Sequence, residues 1–201
     1  MAMLSAFVYR RYTDFSVIAA LRSMKSLMRA EVTRLGIEAD VKRGSGGIRE
    51  IEFIAQSLQL IHGGRMPGLR LQSLLPTLQA LMQADVLPTQ QAQCLSDHYR
   101  LLRRVEHGLQ GMADRQTQAL PTEPLDKAKL AILVGYASWE ALDGDLVGAR
   151  GEVDAVFSDL IADPNDQSSN ELVASQTRFS ALNVETLTVL GYRHPDLTWE
   201  T

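Results

Sequence analysis

The sequence lacks the features of secreted and membrane-bound proteins. Its only cysteine is Cys94, so an internal disulfide is excluded and a reducing, cytoplasmic location is expected. Apolar runs are too short to cross a bilayer, and the short uncharged start of the chain does not resemble a signal peptide. The net charge of −4 gives no basic excess. We therefore expect neither a membrane nor a nucleic-acid partner, since phosphate backbones are bound by basic surfaces.

Helical periodicity is what the sequence does contain. Apolar residues recur at three- and four-residue spacing, whereas alternating strand patterns and internal repeats are missing. Capping residues and glycines bound the helical segments. We predict helices at residues 13–35, 48–62, 74–82, 90–113 and 126–134, and a sixth from Ser138 to about residue 161. The expected fold is all-α, an up-and-down helical bundle. Residues 162–201 begin with a linker-like composition and are predicted to be a linker followed by the truncated start of the next helical region.

The first of these helices has an apolar stripe that is predicted to face the core. The stripe includes Leu21, Met24, Leu27 and Val32. The opposite face, predicted to be solvated, carries Arg22, Lys25, Arg29 and Arg34.

A glycine-rich loop before the second helix is the best candidate for binding chemistry. Glycines before a helix allow backbone N–H groups, here those of Gly46 and Gly47, to turn toward an anion at the positive end of the helix dipole. Lys42 and Arg49 add cationic side chains suited to phosphate. The spacing matches neither a P-loop nor a dinucleotide-binding fingerprint. An ordinary interhelical turn with solvated charges is therefore the alternative interpretation.

Metal-binding and nucleophilic sites are not expected. Glu50 and Glu52 are two residues apart on a helix and point in different directions, so they are interpreted as first-turn acids. We expect no histidine to pair with the cysteine or with another histidine as a zinc ligand, and Cys94 to be a packing residue. An arginine-rich face on the helix at 90–113 is predicted to be solvated surface or a docking surface for a partner.

Six stretches, in this order and spacing, resemble one enzyme family, the bacterial glutamine synthetase adenylyltransferase/deadenylylase. The central stretch, residues 42–53, reads K-R-G-S-G-G-I-R-E-I-E-F. The others are residues 7–12, 59–65, 74–78, 101–107 (L-L-R-R-V-E-H) and 116–121 (Q-T-Q-A-L-P). The similarity extends from about residue 6 to residue 161. A shorter glycine-glycine motif also occurs in the related PII uridylyltransferase, and His62 departs from the arginine more usual in the family.

The resemblance implies a role within a larger enzyme. Such enzymes have two nucleotidyltransferase domains that use Mg²⁺ and ATP or ADP, one removing AMP from a tyrosine of glutamine synthetase by phosphorolysis and the other attaching it. Their paired metal-binding aspartates are absent from this sequence, so no catalytic or metal-binding residue is expected and the chain alone should be inactive. Residues 1–12 would be a remnant of the N-terminal catalytic domain, and residues 13–161 the helical bundle behind it.

The resemblance also names partners and site residues. The expected partners are glutamine synthetase, PII protein and the neighbouring nucleotidyltransferase domain. Lys42, Gly46, Gly47 and Arg49 would contact nucleotide or phosphate, with Arg10, Arg11 and Glu52 in support. The alternatives are a regulatory module that binds PII protein or glutamine synthetase, and a scaffold between two catalytic domains.

Overall fold

A computed structural model describes residues 8–9, 16–113 and 118–161, with only the backbone described at 16–18, 113 and 161. Within these residues, six helices follow one another: α1 (Ser16–Leu35), α2 (Ile48–His62), α3 (Leu74–Gln83), α4 (Thr89–Ala113), α5 (Pro124–Leu133) and α6 (Trp139–Ile161). A single 3₁₀ turn, Pro67–Leu69, lies between α2 and α3. The described part of the chain contains no strand, only one isolated antiparallel bridge between Asp40 and Ala119. The all-α prediction is therefore confirmed.

The core is built around α2, which packs against α3, α4 and α6. Its apolar residues at three- and four-residue spacing, Ile48, Ile51, Ile54 and Leu58, are buried. Consecutive helices from α3 to α6 also pack in pairs, as expected for a bundle with short connections. The partners of α2 contribute Leu78, Leu81, Leu95, Leu102, Val105, Leu142, Leu146, Val153 and Phe157 to the same core.

The predicted face of α1 is partly wrong. Leu21 and Val32 are buried as expected, but Met24 is 48% exposed and Leu27 is 70% exposed. Lys25, which the pattern assigned to the solvated face, is only 3% exposed. The reason is that α1 packs against α6 along a line through Lys25, whose ammonium Nζ lies 2.9 Å from Ser158 Oγ and 4.2 Å from the centre of the Phe157 ring.

The ends of two helices agree with the predicted boundaries. Gly36 and Gly135 follow α1 and α5 with φ of +60° and +90°, a conformation that favours glycine. None of the described helices combines the length and apolarity needed to cross a membrane. The predicted start of α1 at residue 13, Arg10, Arg11 and the whole region from residue 162 lie outside the described residues.

Candidate functional site

The loop between α1 and α2 is organised by Asp40. Its buried carboxylate accepts the backbone N–H groups of Lys42 and Arg43 at 2.9 and 2.8 Å, and Arg43 Nε at 3.0 Å. Burial opposes ionisation of this carboxyl group, but these hydrogen bonds outweigh burial and lower its pKa. Asp40 therefore stays charged and fixes the start of the loop.

Gly46 packs against α6 and Gly47 packs against carbonyl groups of the loop itself, and neither presents a free N–H group. Gly46 N–H donates to Glu50 Oε2 at 3.1 Å, and Gly47 N–H donates to Gly44 O at 3.0 Å. A Cβ atom at position 46 would lie 2.5 Å from Arg150 Cα, so glycine is needed for close approach to α6. The expectation that these two amides point toward an anion is thus not met in this structure, because internal acceptors occupy both of them.

Glu50 is a buried acid that closes the loop. It is 4% exposed and accepts the Gly46 N–H, while burial raises the pKa of its carboxyl group. The interpretation of Glu50 as a first-turn acid agrees with this position in α2. Glu52 lies elsewhere, in a cleft lined also by Gln56, Gln59 and Tyr99. The two carboxylates therefore do not form a metal-binding pair.

A second buried carboxylate, Glu106 on α4, connects the loop to two distant motifs. Glu106 is 1% exposed, and its two oxygens receive Lys42 Nζ at 3.4 Å and Arg103 Nη1 at 2.6 Å. Gln118 Nε2 donates to the Lys42-facing oxygen at 3.5 Å. Lys42 and Arg103 each remain 37% exposed. Their charges are therefore held in place and still reach the surface.

Backbone pairing reinforces this junction. Val41 N–H donates to Gln118 O at 2.8 Å, and Leu120 N–H donates to Ala39 O at 3.0 Å. The motifs at residues 42–53, 101–107 and 116–121, which are far apart in sequence, therefore meet at one place. We call the group of Lys42, Arg103, Glu106 and Gln118 the Glu106 cluster.

Arg49 lies beside the Glu106 cluster on the exposed side of α2. Its backbone N–H donates to Lys42 O at 3.0 Å, which makes the backbones of the two predicted cationic residues neighbours. The side chain is exposed and makes no hydrogen bond or ion pair with the described residues. The structure shows no contact between Arg49 and Glu52 among these residues, so Glu52 is not seen to orient it.

The arginine-rich face of α4 forms the wall of a shallow groove. Arg100, Arg103, Arg104 and His107 line it, together with the apolar side chain of Leu133. Arg100 pairs with Asp97 at 2.8 Å, and Arg103 pairs with Glu106. Arg104 is exposed and has no ion pair among the described residues. The groove is therefore cationic with an apolar edge.

A charged seam joins α1 to α6 beneath the loop. Lys25 Nζ lies 3.4 Å from Asp154 Oδ1, and Arg29 also hydrogen-bonds this oxygen. Burial lowers the pKa of Lys25, against the attraction of Asp154. Arg150 donates from Nη2 to Asp40 O at 2.7 Å, but its buried Nε has no acceptor among the described atoms. The seam therefore ties α1, the loop and α6 together.

A cluster that the sequence analysis missed lies on the other side of α4. Cys94 and His98 are one helical turn apart, and both contact Glu152 of α6, with Cys94 Sγ at 3.0 Å and His98 Nε2 at 2.8 Å from Glu152 Oε2. Within the described residues, this is the group of three side chains placed to hold a metal ion. The expectation that no histidine lies at ligand distance from the cysteine is wrong. The four-residue spacing of Cys94 and His98 could have revealed that they are neighbours on one helix face.

Comparison with known proteins places the described helices in context. A family model described as GlnD PII-uridylyltransferase matches residues 19–161. A bifunctional glutamine synthetase adenylyltransferase/adenylyl-removing enzyme from Xanthomonas axonopodis pv. citri (strain 306) is 53% identical over 159 residues. That alignment covers 79% of this chain but 17% of the relative. The chain therefore spans about a sixth of the length of that relative, and the resemblance drawn from the motifs is confirmed.

Proposed function

We propose that the helical bundle of this chain, which belongs to the GlnD PII-uridylyltransferase family, completes a nucleotidyltransferase centre. The enzyme would be one that adenylylates and deadenylylates glutamine synthetase, as the name of the 53% identical relative indicates for that protein. The finer part of the proposal is that the bundle serves AMP removal from a tyrosine by phosphorolysis. Its partners would be glutamine synthetase, PII protein and a neighbouring catalytic domain, in the cytoplasm.

The observation that carries the proposal is the convergence at the Glu106 cluster. Three motifs that are distant in sequence hold Lys42 in a fixed position, with Arg49 as its neighbour. Phosphoryl and nucleotidyl transfer depend mainly on positioning and on cations that stabilise developing negative charge. Lys42 would act as a point charge and Arg49 as a planar donor for phosphate oxygens.

The remaining site residues take different roles in this proposal. Gly46 would position the loop against α6, Gly47 would allow close packing within the loop, and neither would bind the phosphate through its N–H group. Arg10, Arg11 and Glu52 keep the supporting role that the family resemblance implies. Mg²⁺ and the nucleotide would be held chiefly by the catalytic domain, since Glu50 is occupied internally and Glu52 lies in a separate cleft.

An exposed surface suits contact with that catalytic domain. Three apolar side chains of α1, Met24, Leu27 and Leu35, are exposed within the described part of the chain, at 48%, 70% and 43%. Apolar side chains grouped on one helix face are typical of surfaces that pack against another domain. This supports the neighbouring nucleotidyltransferase domain as a partner of the bundle.

The test is Arg49→Ala in a full-length enzyme that carries this domain. We expect deadenylylation to slow by about 10²- to 10³-fold, the range seen when one transition-state donor is removed. Because the side chain is exposed, the free energy of unfolding should change by no more than about 0.5 kcal/mol. Arg49→Lys should recover part of the rate, since it keeps the charge and loses the planar donor geometry.

The matched control is Lys129→Ala, which removes an exposed cation of α5 whose ion-pair partner, Asp126, lies on the same helix. It should leave the rate within about twofold of the wild type, as is usual for a surface substitution. The 201-residue chain alone serves as the blank and should not transfer AMP. An Arg49→Ala enzyme with an unchanged rate would refute the proposed role of this residue.

The alternative function is a regulatory module that binds PII protein or glutamine synthetase. It is supported by the cationic groove on α4, whose apolar edge is typical of a protein-docking surface. The same enzyme assay separates the two functions. A docking role would leave the maximal rate of the Arg49→Ala enzyme unchanged, whereas a role at the reaction centre requires that rate to fall.

A further inference from the structure

Cys94, His98 and Glu152 place three different metal-binding atoms at one point on the bundle surface. All three atoms lie within 4.8 Å of one another. The cysteine and histidine project from the same face of α4 because they are four residues apart. Glu152 reaches them from α6, and its side chain is 62% exposed whereas His98 is 19% exposed. Two ligands are thus held on a rigid helix, and the third can adjust.

We propose that these three side chains bind a zinc ion, with the fourth position open to water or another ligand. Thiolate, imidazole and carboxylate are the three side-chain ligands that Zn²⁺ uses, at about 2.3, 2.0–2.1 and 2.0–2.2 Å respectively. Mg²⁺ and Ca²⁺ prefer oxygen-only sites, and Cu(I) prefers sulfur, so the mixed set favours zinc.

The positions of the three side chains explain how the site is prepared. The thiol and the imidazole converge on Glu152 Oε2, at 3.0 and 2.8 Å. Ligand atoms of a tetrahedral zinc ion are about 3.3–3.6 Å apart, given the bond lengths above. Binding therefore requires the exposed carboxylate to withdraw by less than about 1 Å from the thiol and the imidazole, whose own ligand atoms lie within 4.8 Å of each other. The thiol proton leaves to solvent as the Zn–S bond forms.

The surroundings leave access to the cluster. Cys94 and Glu152 line a shallow groove between α4 and α6 together with Pro88, Gln91, Val156 and Asp159. Asp97, one turn from Cys94, is paired with Arg100 at 2.8 Å and does not belong to the group of three metal-binding side chains. A bound ion would therefore link the first half of α4 to the second half of α6.

The experiment is titration of the metal-free 201-residue chain with Co²⁺, followed by displacement with Zn²⁺. Cobalt bound to thiolate gives a charge-transfer band in the near ultraviolet, and Cys94 is the only cysteine of the chain. We expect one equivalent of Co²⁺ to produce this band and Zn²⁺ to abolish it. Native mass spectrometry should show a single bound zinc. At a free Zn²⁺ concentration about 100 times Kd, the folded-to-unfolded ratio should rise about 100-fold.

Three variants make the test specific. Cys94→Ser should abolish the cobalt band, and His98→Gln should weaken cobalt and zinc binding at least about tenfold, as expected for loss of a metal ligand. The matched control is His107→Gln, which changes an exposed histidine of the same helix and should leave binding unchanged. Circular dichroism checks that each variant remains helical.

Two results would overturn the proposal. One is a wild-type chain that remains helical but shows neither a cobalt band nor a zinc-dependent thermal shift. The other is zinc binding that is as tight in a folded His98→Gln chain as in the wild type, since the ion would then be held elsewhere.

Discussion

Gly46→Ala tests whether the glycine-rich loop is a packing element. Gly46 has φ of +67°, and an added Cβ would overlap the carbonyl oxygen of Arg150 and lie 2.5 Å from its Cα. Both obstacles are backbone atoms of α6 and cannot rotate away. Gly36 provides a matched control because its φ is +60° and nothing lies within 4 Å of its added Cβ.

The two substitutions share one cost and differ in another. A left-handed conformation costs an alanine about 1–2 kcal/mol, so Gly36→Ala should lower the free energy of unfolding by that amount. Gly46→Ala adds the displacement of the loop from α6, a cost of about 1–3 kcal/mol when a close-packed core is overfilled. We therefore expect a total of about 2–5 kcal/mol for Gly46→Ala.

Urea unfolding of the 201-residue chain, monitored by circular dichroism, measures both values. At about 2–4 °C per kcal/mol for a chain of this size, Gly46→Ala should lower the melting temperature by roughly 4–20 °C. Equal losses for the two variants would contradict the packing argument. A stable Gly46→Ala chain with impaired phosphate binding would instead return the loop to the anion-binding role first expected for its N–H groups.

The charged clusters give two further predictions. Glu106→Gln should destabilise the chain by about 1–2 kcal/mol, because the buried charge that pairs with two cations is lost. The loss stays this small because the half-exposed cationic partners can turn to water. Urea unfolding measures this, and the exposed-site change Glu31→Gln should cost less than about 0.5 kcal/mol; equal losses would contradict the role of the cluster. For Asp154, burial raises the pKa, but Arg29 and Lys25 outweigh burial and lower it below the ordinary 3.8. The stability it contributes is therefore present above pH 3.8 and lost as pH falls through the lower folded pKa. The difference in the free energy of unfolding between wild type and Asp154→Asn should therefore narrow as the pH falls below 3.8. Unfolding transitions recorded at a series of acidic pH values measure this difference, and a constant difference would refute the linkage.

The helices could be predicted from the sequence because their signal is local. The predicted helix at 48–62 coincides with α2, and the one at 90–113 differs from α4 by one residue. Apolar spacing, glycines and prolines act within a few residues of each boundary. The all-α fold follows from the same local signals, since each amphipathic helix needs a partner to cover its apolar face.

The charged clusters could not be predicted in the same way, because their members come from distant parts of the chain. Lys25 and Asp154 are 129 residues apart, and His98 and Glu152 are 54 apart. Periodicity assigned Lys25 to the solvated face because it treats every lysine as polar surface. Only the packing of α1 on α6 shows that an acid and a hydroxyl group meet it there.

Lys42 and Arg49 differ in how much of their charge a ligand can use. Lys42 is held 3.4 Å from buried Glu106, so a phosphate that draws it away must leave that carboxylate with Arg103 as its remaining ion-pair partner and Gln118 as its remaining amide donor. Arg49 has no such competitor among the described residues. Its contribution to binding is therefore not reduced by the loss of an existing ion pair. Substitution of Lys42 would change both the Glu106 cluster and any phosphate contact, whereas substitution of Arg49 would change the proposed phosphate contact with little effect on folding. Arg49 is for this reason the residue at which the proposed function and the stability of the loop can be measured separately.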